Sequence, residues 1–247
     1  MSSFWELFKT NLRVTYRNRG GIFWTLVMPA FIYIALSVLP TGKFLGSDLK
    51  YSNYVLPGII AMVVMQGGIY GLAYWMVDLK ARGVLKRFMV TPINKTELIL
   101  SVVAARVIVM YVQVIILTFL GVLLFKATFA GNVLATLVLV MLGGAVFLLF
   151  GLLISSVADT YDAAAPITTA IGLPLTFLGN IFYPVDGLPH ILQVIAKLLP
   201  ITYLADGLRA VYLHPFSFAL VGKDLLILSV WVAVMLTVTI WRFRLQE

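Results

Sequence analysis

The 247-residue sequence contains no cysteine, two histidines, and few charged residues, which make up 11% of the chain. Without cysteine it can form neither a disulfide nor a thiolate metal site, and it has no cysteine nucleophile. His190 and His214 lie far apart and lack a third ligand nearby, so we expect no metal site. No G-x-S-x-G motif is present, and the sparse carboxylates form no obvious acid–base pair. The sequence therefore shows no pattern typical of an enzyme active site.

Apolar residues dominate the sequence instead, at 62% of the chain, and the mean hydropathy is +1.03. A water-soluble domain is typically about 45–50% apolar, and the surplus here would leave broad apolar surface in water. The composition therefore predicts an integral membrane protein. We attribute the net charge of +8 to cytoplasmic segments, which collect Lys and Arg, and expect no nucleic-acid partner.

Six segments are long and apolar enough to cross a bilayer, which takes about 20 residues. They are 22–39, 54–77, 98–125, 132–157, 163–183 and 219–241. Several contain proline, which spanning helices tolerate because neighbouring helices satisfy the freed backbone groups. We predict an all-α membrane protein with one transmembrane domain over residues 1–247.

The basic residues are distributed unevenly between the two sides of this topology. One side collects Lys9, Arg13, Arg17, Arg19, Lys80, Arg82, Lys86, Arg87, Lys95, Arg242 and Arg244. The other collects Lys43, Lys50, Lys126, Lys197, Arg209 and Lys223. The positive-inside rule then places both termini in the cytoplasm.

Residues 1–20 combine an apolar stripe at three- and four-residue steps with basic flanks. This pattern is typical of a helix lying in the membrane interface, with Trp5 at headgroup level. The alternative is an ordinary cytosolic extension of the first span.

Residues 82–90 lie in the first cytoplasmic loop, where Val84, Leu85, Phe88 and Met89 form an apolar stripe beside Lys86 and Arg87. This spacing predicts a short amphipathic helix. Pro92 ends it, and Asn94 with Glu97 resembles a capping box that starts the next helix. The loop thus carries a compact element that a soluble partner can push.

Two stretches carry a resemblance to a known family. They are "GVLKRFMVTPINKTELILSVVAARV" at 83–107 and "GNIFYPVDGLPHILQVIAKLLPITYLADGLRAVYL" at 179–213. The first resembles the coupling segment of ABC-2 type permeases, the membrane subunits of a class of bacterial ABC exporters. The second is similar to the same family's outer re-entrant segment, which implies that 184–212 dips into the membrane without crossing it.

The resemblance implies a permease in the bacterial cytoplasmic membrane that exports an amphipathic drug, antibiotic or lipid-like molecule. It also implies a second permease chain, as a homodimer, and two copies of a separate ABC ATPase. No G-x-x-x-x-G-K-[ST] motif occurs in the sequence, so ATP and Mg²⁺ are expected on the ATPase, and this chain has no cofactor and no catalytic residue of its own. The expected coupling residues are Arg82, Leu85, Lys86, Arg87, Phe88 and Met89.

Four further residues are candidates for the translocation path or its support. Gln66, Tyr70 and Tyr74 recur at four-residue steps on the second span and can face a path, or form hydrogen bonds between spans. Arg106 lies nine residues past Glu97 in the third span, where it can reach back to the headgroups, pair with Asp78, Asp159 or Asp162, or contact substrate.

Gly67 and Gly71 form a G-x-x-x-G pattern, which allows close approach of another helix in the same chain or in a second subunit. The competing class of function is a stand-alone channel or a membrane-embedded enzyme. A channel favours a polar face repeated over several spans, and an enzyme favours clustered His, Asp or Glu.

Overall fold

The computed structural model describes residues 3–39, 50–84 and 95–244, and within these ranges it is helical with no strand. The helices are α1 (Ser3–Arg17), α2 (Arg19–Val38), α3 (Tyr51–Ala81), α4 (Lys95–Phe125), α5 (Val133–Val157), α6 (Tyr161–Leu178), α7 (His190–Leu198), α8 (Pro200–Leu213) and α9 (Phe218–Arg244). A 3-10 turn covers Val185–Gly187. The prediction of an all-α membrane protein is confirmed.

Among the described residues, five helices are long and apolar enough to cross a membrane: α2, α3, α4, α5 and α9. The predicted span 163–183 corresponds to α6, which is not among the five, and its predicted end is wrong. The helix stops at Leu178 because Asn180 adopts a left-handed backbone conformation with φ of 56°. The chain then turns into the segment that carries α7 and α8.

Helix α3 is the centre of the bundle and packs against α2, α4, α5, α6 and α8. Its closest approach is to α5, where Gly68 and Gly151 face each other. A Cβ added at Gly68 would lie 2.5 Å from the Phe147 Cβ, and one added at Gly151 would lie 2.5 Å from the Gly68 carbonyl oxygen. Only glycine permits this spacing, and small residues are what bring helices together in membranes.

The bundle has two distinct ends. At the α1 end, α1 lies beside the first turns of α4, and Lys80 at the end of α3 reaches Asp159 between α5 and α6. At the far end, Asn53 binds Thr128 in the α4–α5 connection. Asp224, near the start of α9, lies beside Gly207 of α8, and Trp231, farther along α9, lies against Phe150 of α5. Helix α9 therefore runs back toward the α1 end. The first and last described helices therefore both end there.

Helices α7 and α8 form a pair bent by 83°, the shape of a broken span or a re-entrant loop. The connection before them is held at the far end by the bond from Tyr54 to Asn180, and the Tyr212 carbonyl oxygen at their end accepts from the Ala130 N–H across 3.0 Å, also at the far end. Both ends of the segment thus lie on one side of the bundle. This geometry supports the predicted re-entrant segment 184–212, whose position in a membrane stays a prediction.

Candidate functional site

Helix α1 is attached to the base of α4. Phe8 is buried, and Asn11 Nδ2 donates to Ser101 Oγ across 3.3 Å. Trp5 stacks on Phe8 at 5.2 Å between ring centroids and remains 46% exposed. The predicted interfacial helix 1–20 therefore presents an aromatic edge outward while it is fixed to a long helix of the bundle.

Most of the predicted coupling helix 82–90 lies outside the described residues, including Leu85, Lys86, Arg87, Phe88 and Met89. Arg82 is the coupling candidate that the structure describes. Its exposed side chain donates from Nε to Asp78 Oδ1 across 2.8 Å, and this hydrogen bond raises the pKa of Arg82 above its ordinary value. Gly83 follows with φ of 64°, a left-handed conformation that glycine adopts without strain. The chain therefore turns sharply as it leaves α3 and enters the predicted coupling helix.

The junction of α3, α5 and α6 is closed by Lys80. Its ammonium group lies 3.0 Å from Asp159 Oδ1 and also donates to the carbonyl of Ser155, the last-but-two residue of α5. Asp159 was one of the expected partners of Arg106, and the structure pairs it with Lys80. The last turn of α3 is thus tied to the two helices beside it.

The predicted path residues Gln66, Tyr70 and Tyr74 are half-buried, and the two tyrosines contact α6. The Tyr74 hydroxyl and Thr168 Oγ1 are 2.9 Å apart. The Tyr70 hydroxyl fills the space beside Gly172, where an added Cβ would collide with it. Tyr74 thus forms a hydrogen bond between α3 and α6, and the role of the three residues in a translocation path stays a prediction.

Arg106 approaches the same part of α3 from α4. Arg106 Nη1 would lie 3.3 Å from a Cβ added at Gly71. Met110 Cε, on the same helix as Arg106, would lie 3.3 Å from a Cβ added at Gly67. The G-x-x-x-G pair is thus covered by a helix of the same chain. Within the described ranges no carboxylate is in ion-pair distance of Arg106, and both Asp78 and Asp159 are engaged by other cations.

The level of Arg106 along the bundle follows from its neighbours. Gln113 of α4 donates to the carbonyl of Thr25, and Gly121 of α4 lies beside Tyr33. Both pairs have the same separation in sequence, so the parallel helices α2 and α4 keep a constant register. The same register places Arg106 level with Asn18, at the start of α2. Counting from Glu97 therefore does not measure its depth, because the first turns of α4 flank α1. Whether Arg106 lies within the membrane stays a prediction.

Together these residues form a polar side of α3, with Tyr70 and Tyr74 against α6 and the Arg106 guanidinium of α4 beside Gly71. It offers one cation, one carboxamide and two phenol groups against apolar walls. Such a lining suits a molecule that is largely apolar and carries hydrogen-bonding groups.

A second polar cluster, at the far end, was missed by the sequence analysis. The Arg209 guanidinium lies 3.9 Å from the Tyr54 ring centroid, donates to the Asn180 carbonyl at 2.8 Å, and pairs with Asp206 at 3.0 Å. The Tyr54 hydroxyl donates to Asn180 Oδ1 at 2.7 Å, and Asn180 Nδ2 donates to Asp206. The cluster joins α3, the α6–α7 connection and α8. The i, i+3 spacing of Asp206 and Arg209 was the one local signal available.

Comparison with known proteins places the fold in context. Residues 2–213 match the family model described as ABC-2 type transporter. The chain is 25% identical over 203 residues to the Escherichia coli K12 protein named probable multidrug ABC transporter permease YbhR, covering 82% of this chain and 54% of that protein. The chain thus spans about half the length of that relative.

Two further relatives are covered more completely. The E. coli K12 inner membrane transport permease YadH is 27% identical over 189 residues, which is 74% of this chain and 73% of YadH. The daunorubicin resistance ABC transporter permease protein DrrB1 of Streptomyces coeruleorubidus is 28% identical over 222 residues, which is 89% of this chain and 78% of DrrB1.

Proposed function

We propose, since the chain belongs to the ABC-2 type transporter family, that it is the permease subunit of an ATP-driven exporter in a bacterial cytoplasmic membrane. A separate ATPase, in two copies, would hydrolyse ATP beneath a pair of permease chains. The chain itself would supply the path and no catalytic residue.

The arrangement of the α1 end carries this proposal. Helix α1, the Asp78–Arg82 turn, the start of α4 and the connection from α5 to α6 all lie there. One soluble partner at that end can therefore contact every element that leads into α3 and α4. Movement of α1 would be passed to α4 through Phe8 and Asn11, and movement of the coupling helix would be passed to α3.

The polar side of α3 determines the class of substrate that we propose. Since α3 and α4 both extend from the α1 end, a push there would change the spacing of the helices beside it. Its lining of Gln66, Tyr70, Tyr74 and Arg106 suits an amphipathic molecule such as a drug, an antibiotic or a lipid-like compound. The names of YbhR and DrrB1 refer to multidrug transport and daunorubicin resistance, which supports this class.

The test is reconstitution with an ABC ATPase encoded beside this chain. Inverted membrane vesicles containing both proteins should accumulate a fluorescent amphipathic dye when ATP is added. An ATPase variant that binds ATP without hydrolysing it is the control and should abolish accumulation. Dye flux that needs neither ATP nor the ATPase would instead indicate a stand-alone channel.

A further inference from the structure

Helix α2 departs from regular α-helical hydrogen bonding around Pro29. In an α-helix the Thr25 carbonyl accepts from the N–H of residue 29, and Pro29 has no N–H. Immediately before Pro29, α2 widens into a π-helical turn over Phe23–Val27. Gln113 of α4 donates from Nε2 to the Thr25 carbonyl across 3.0 Å. A side chain of the neighbouring helix thus supplies a donor to this carbonyl group at the point where a regular α-helical turn would have none.

The seam between α2 and α4 is incompletely hydrogen-bonded. Gln113 is 5% exposed, and its Oε1 is buried without a partner. The Tyr33 and Ser37 hydroxyls, one turn apart on α2, are buried and interact with each other and not with α4. The Gln113 Oε1 atom is therefore the buried acceptor of this seam that lacks a partner. Burying such atoms is unfavourable, so the seam is not in its most tightly bonded arrangement.

The remaining contacts leave α2 free to bend. Much of its surface is exposed, including the large side chains of Trp24, Phe31 and Val38. Sharp bends in helices occur at prolines and at π-helical turns, and single π turns are frequent at functional sites. Helix α2 has both features at one place, and the Gln113–Thr25 bond spans it.

We propose that the π-helical turn of α2 is a hinge and that Gln113 is the positioning residue that holds it. With the Gln113–Thr25 bond formed, residues 19–27 stay against α4. When the bond is released, this half of α2 swings relative to residues 29–38, and the Gln113 carboxamide, with its buried acceptor, becomes free to bond elsewhere. The use of the hinge in export rests on the proposed function, whereas the hinge itself does not.

Two substitutions separate the hinge from ordinary packing. Pro29→Ala supplies an N–H at residue 29, so the Thr25 carbonyl can close a regular turn without Gln113. Gln113→Leu keeps similar volume and removes the donor. In the wild-type background Gln113→Leu should shift the folding equilibrium of the purified chain by roughly 3- to 20-fold toward the unfolded state, as for hydrogen bonds between membrane helices. In the Pro29→Ala background its effect should nearly vanish. An equal loss in both backgrounds would overturn the assignment.

The motion itself is measured by electron spin resonance on labelled chains in lipid nanodiscs. The sequence has no cysteine, so Arg19→Cys and Phe119→Cys, both at exposed sites, take spin labels without background. We expect two populations of distances between the two spin labels. Pro29→Ala should remove one of them, whereas Pro57→Ala, a control on α3, should leave both. A single distribution that is the same with and without Pro29→Ala would refute the hinge.

Transport provides an independent readout. Pro29→Ala should keep stability and ATPase binding yet lose dye accumulation, because the straightened α2 no longer bends. Undiminished accumulation in this variant would show that export does not use the hinge. If the wild-type chain transports nothing, the proposed function fails, and the distance measurement still decides the hinge.

Discussion

Arg209 holds Tyr54 in two ways at once: its guanidinium lies 3.9 Å from the tyrosine ring centroid, and its Nε donates to the Tyr54 carbonyl across 3.3 Å. The Arg209 side chain is 11% exposed, so these interactions are shielded from solvent. Removing the side chain leaves the neighbouring acceptors without their donor.

Arg209→Ala should therefore destabilise the chain by about 1.5–3 kcal/mol, the range for hydrogen bonds that involve a charged group. The matched control is Arg82→Ala, which breaks another Arg–Asp pair whose arginine is 71% exposed. Because that pair is exposed to solvent, its loss should change stability much less. Thermal unfolding of both variants in detergent measures the difference, and equal shifts would contradict a structural role for the far-end cluster.

Gly68→Ala should destabilise the bundle by about 1–3 kcal/mol, the typical effect of overpacking, because its Cβ would meet the backbone of α5. Gly67→Ala is the adjacent control, since its Cβ would meet the flexible end of Met110 at 3.3 Å. Thermal unfolding is again the measurement. A larger loss at Gly67 than at Gly68 would show that the α3–α5 contact is described wrongly.

Gly172→Ala should force the Tyr70 hydroxyl out of its place between α3 and α6 and lower both stability and transport. Tyr70→Phe removes the colliding oxygen, so the double variant should recover part of the stability that Gly172→Ala loses. Neighbouring substitutions couple in this way when they share a contact. Additive losses would mean that the two residues do not touch.

Phe88→Ala should uncouple ATP hydrolysis from transport while the chain remains folded, because the predicted coupling helix would lose its main apolar contact with the ATPase. Phe216→Ala, an exposed aromatic at the far end, is the control and should leave coupling unchanged. ATPase activity and dye accumulation are measured on the same vesicles. Full transport with Phe88→Ala in an intact complex would exclude the assignment.

Cysteines at Ser2 and Gln246 should resist a membrane-impermeant thiol reagent in intact cells, since both termini are predicted to face the cytoplasm. A cysteine at Lys126, in the exposed α4–α5 connection at the far end, is the positive control and should react. Reaction at both termini with protection at residue 126 would reverse the topology.

Apolar length and periodicity predicted the spanning helices and α1, because in a membrane composition decides which segments become helix. The end of α6 could not be predicted, since it depends on a left-handed conformation at Asn180 that no apolar pattern reveals. The four-residue steps predicted Gln66, Tyr70 and Tyr74 on one polar side of α3, and Tyr70 and Tyr74 both contact α6. Which helix covers that side depends on Gly172 and Thr168, far along the chain.

The far-end cluster was beyond sequence reasoning for the same reason. Tyr54 is separated from Asn180 by 126 residues and from Arg209 by 155. Neither separation leaves a periodic signal, and each residue type alone is common near a membrane surface. The three-dimensional arrangement of α3 and α8 is what brings them together.

The sequence separation of Tyr54 and Arg209 also determines how long the far-end cluster stays incomplete during biosynthesis. A ribosome adding about 5–20 residues per second finishes Arg209 roughly 8 to 31 s after Tyr54, given the 155 residues between them. During that interval α3 is already in the membrane, and the groups awaiting Arg209 must be satisfied by lipid, water or the insertion machinery. A nascent chain that stalls shortly before residue 209 has completed helices α2 to α6 but lacks the Arg209 contacts at the far end. Such a chain is a substrate for membrane quality control.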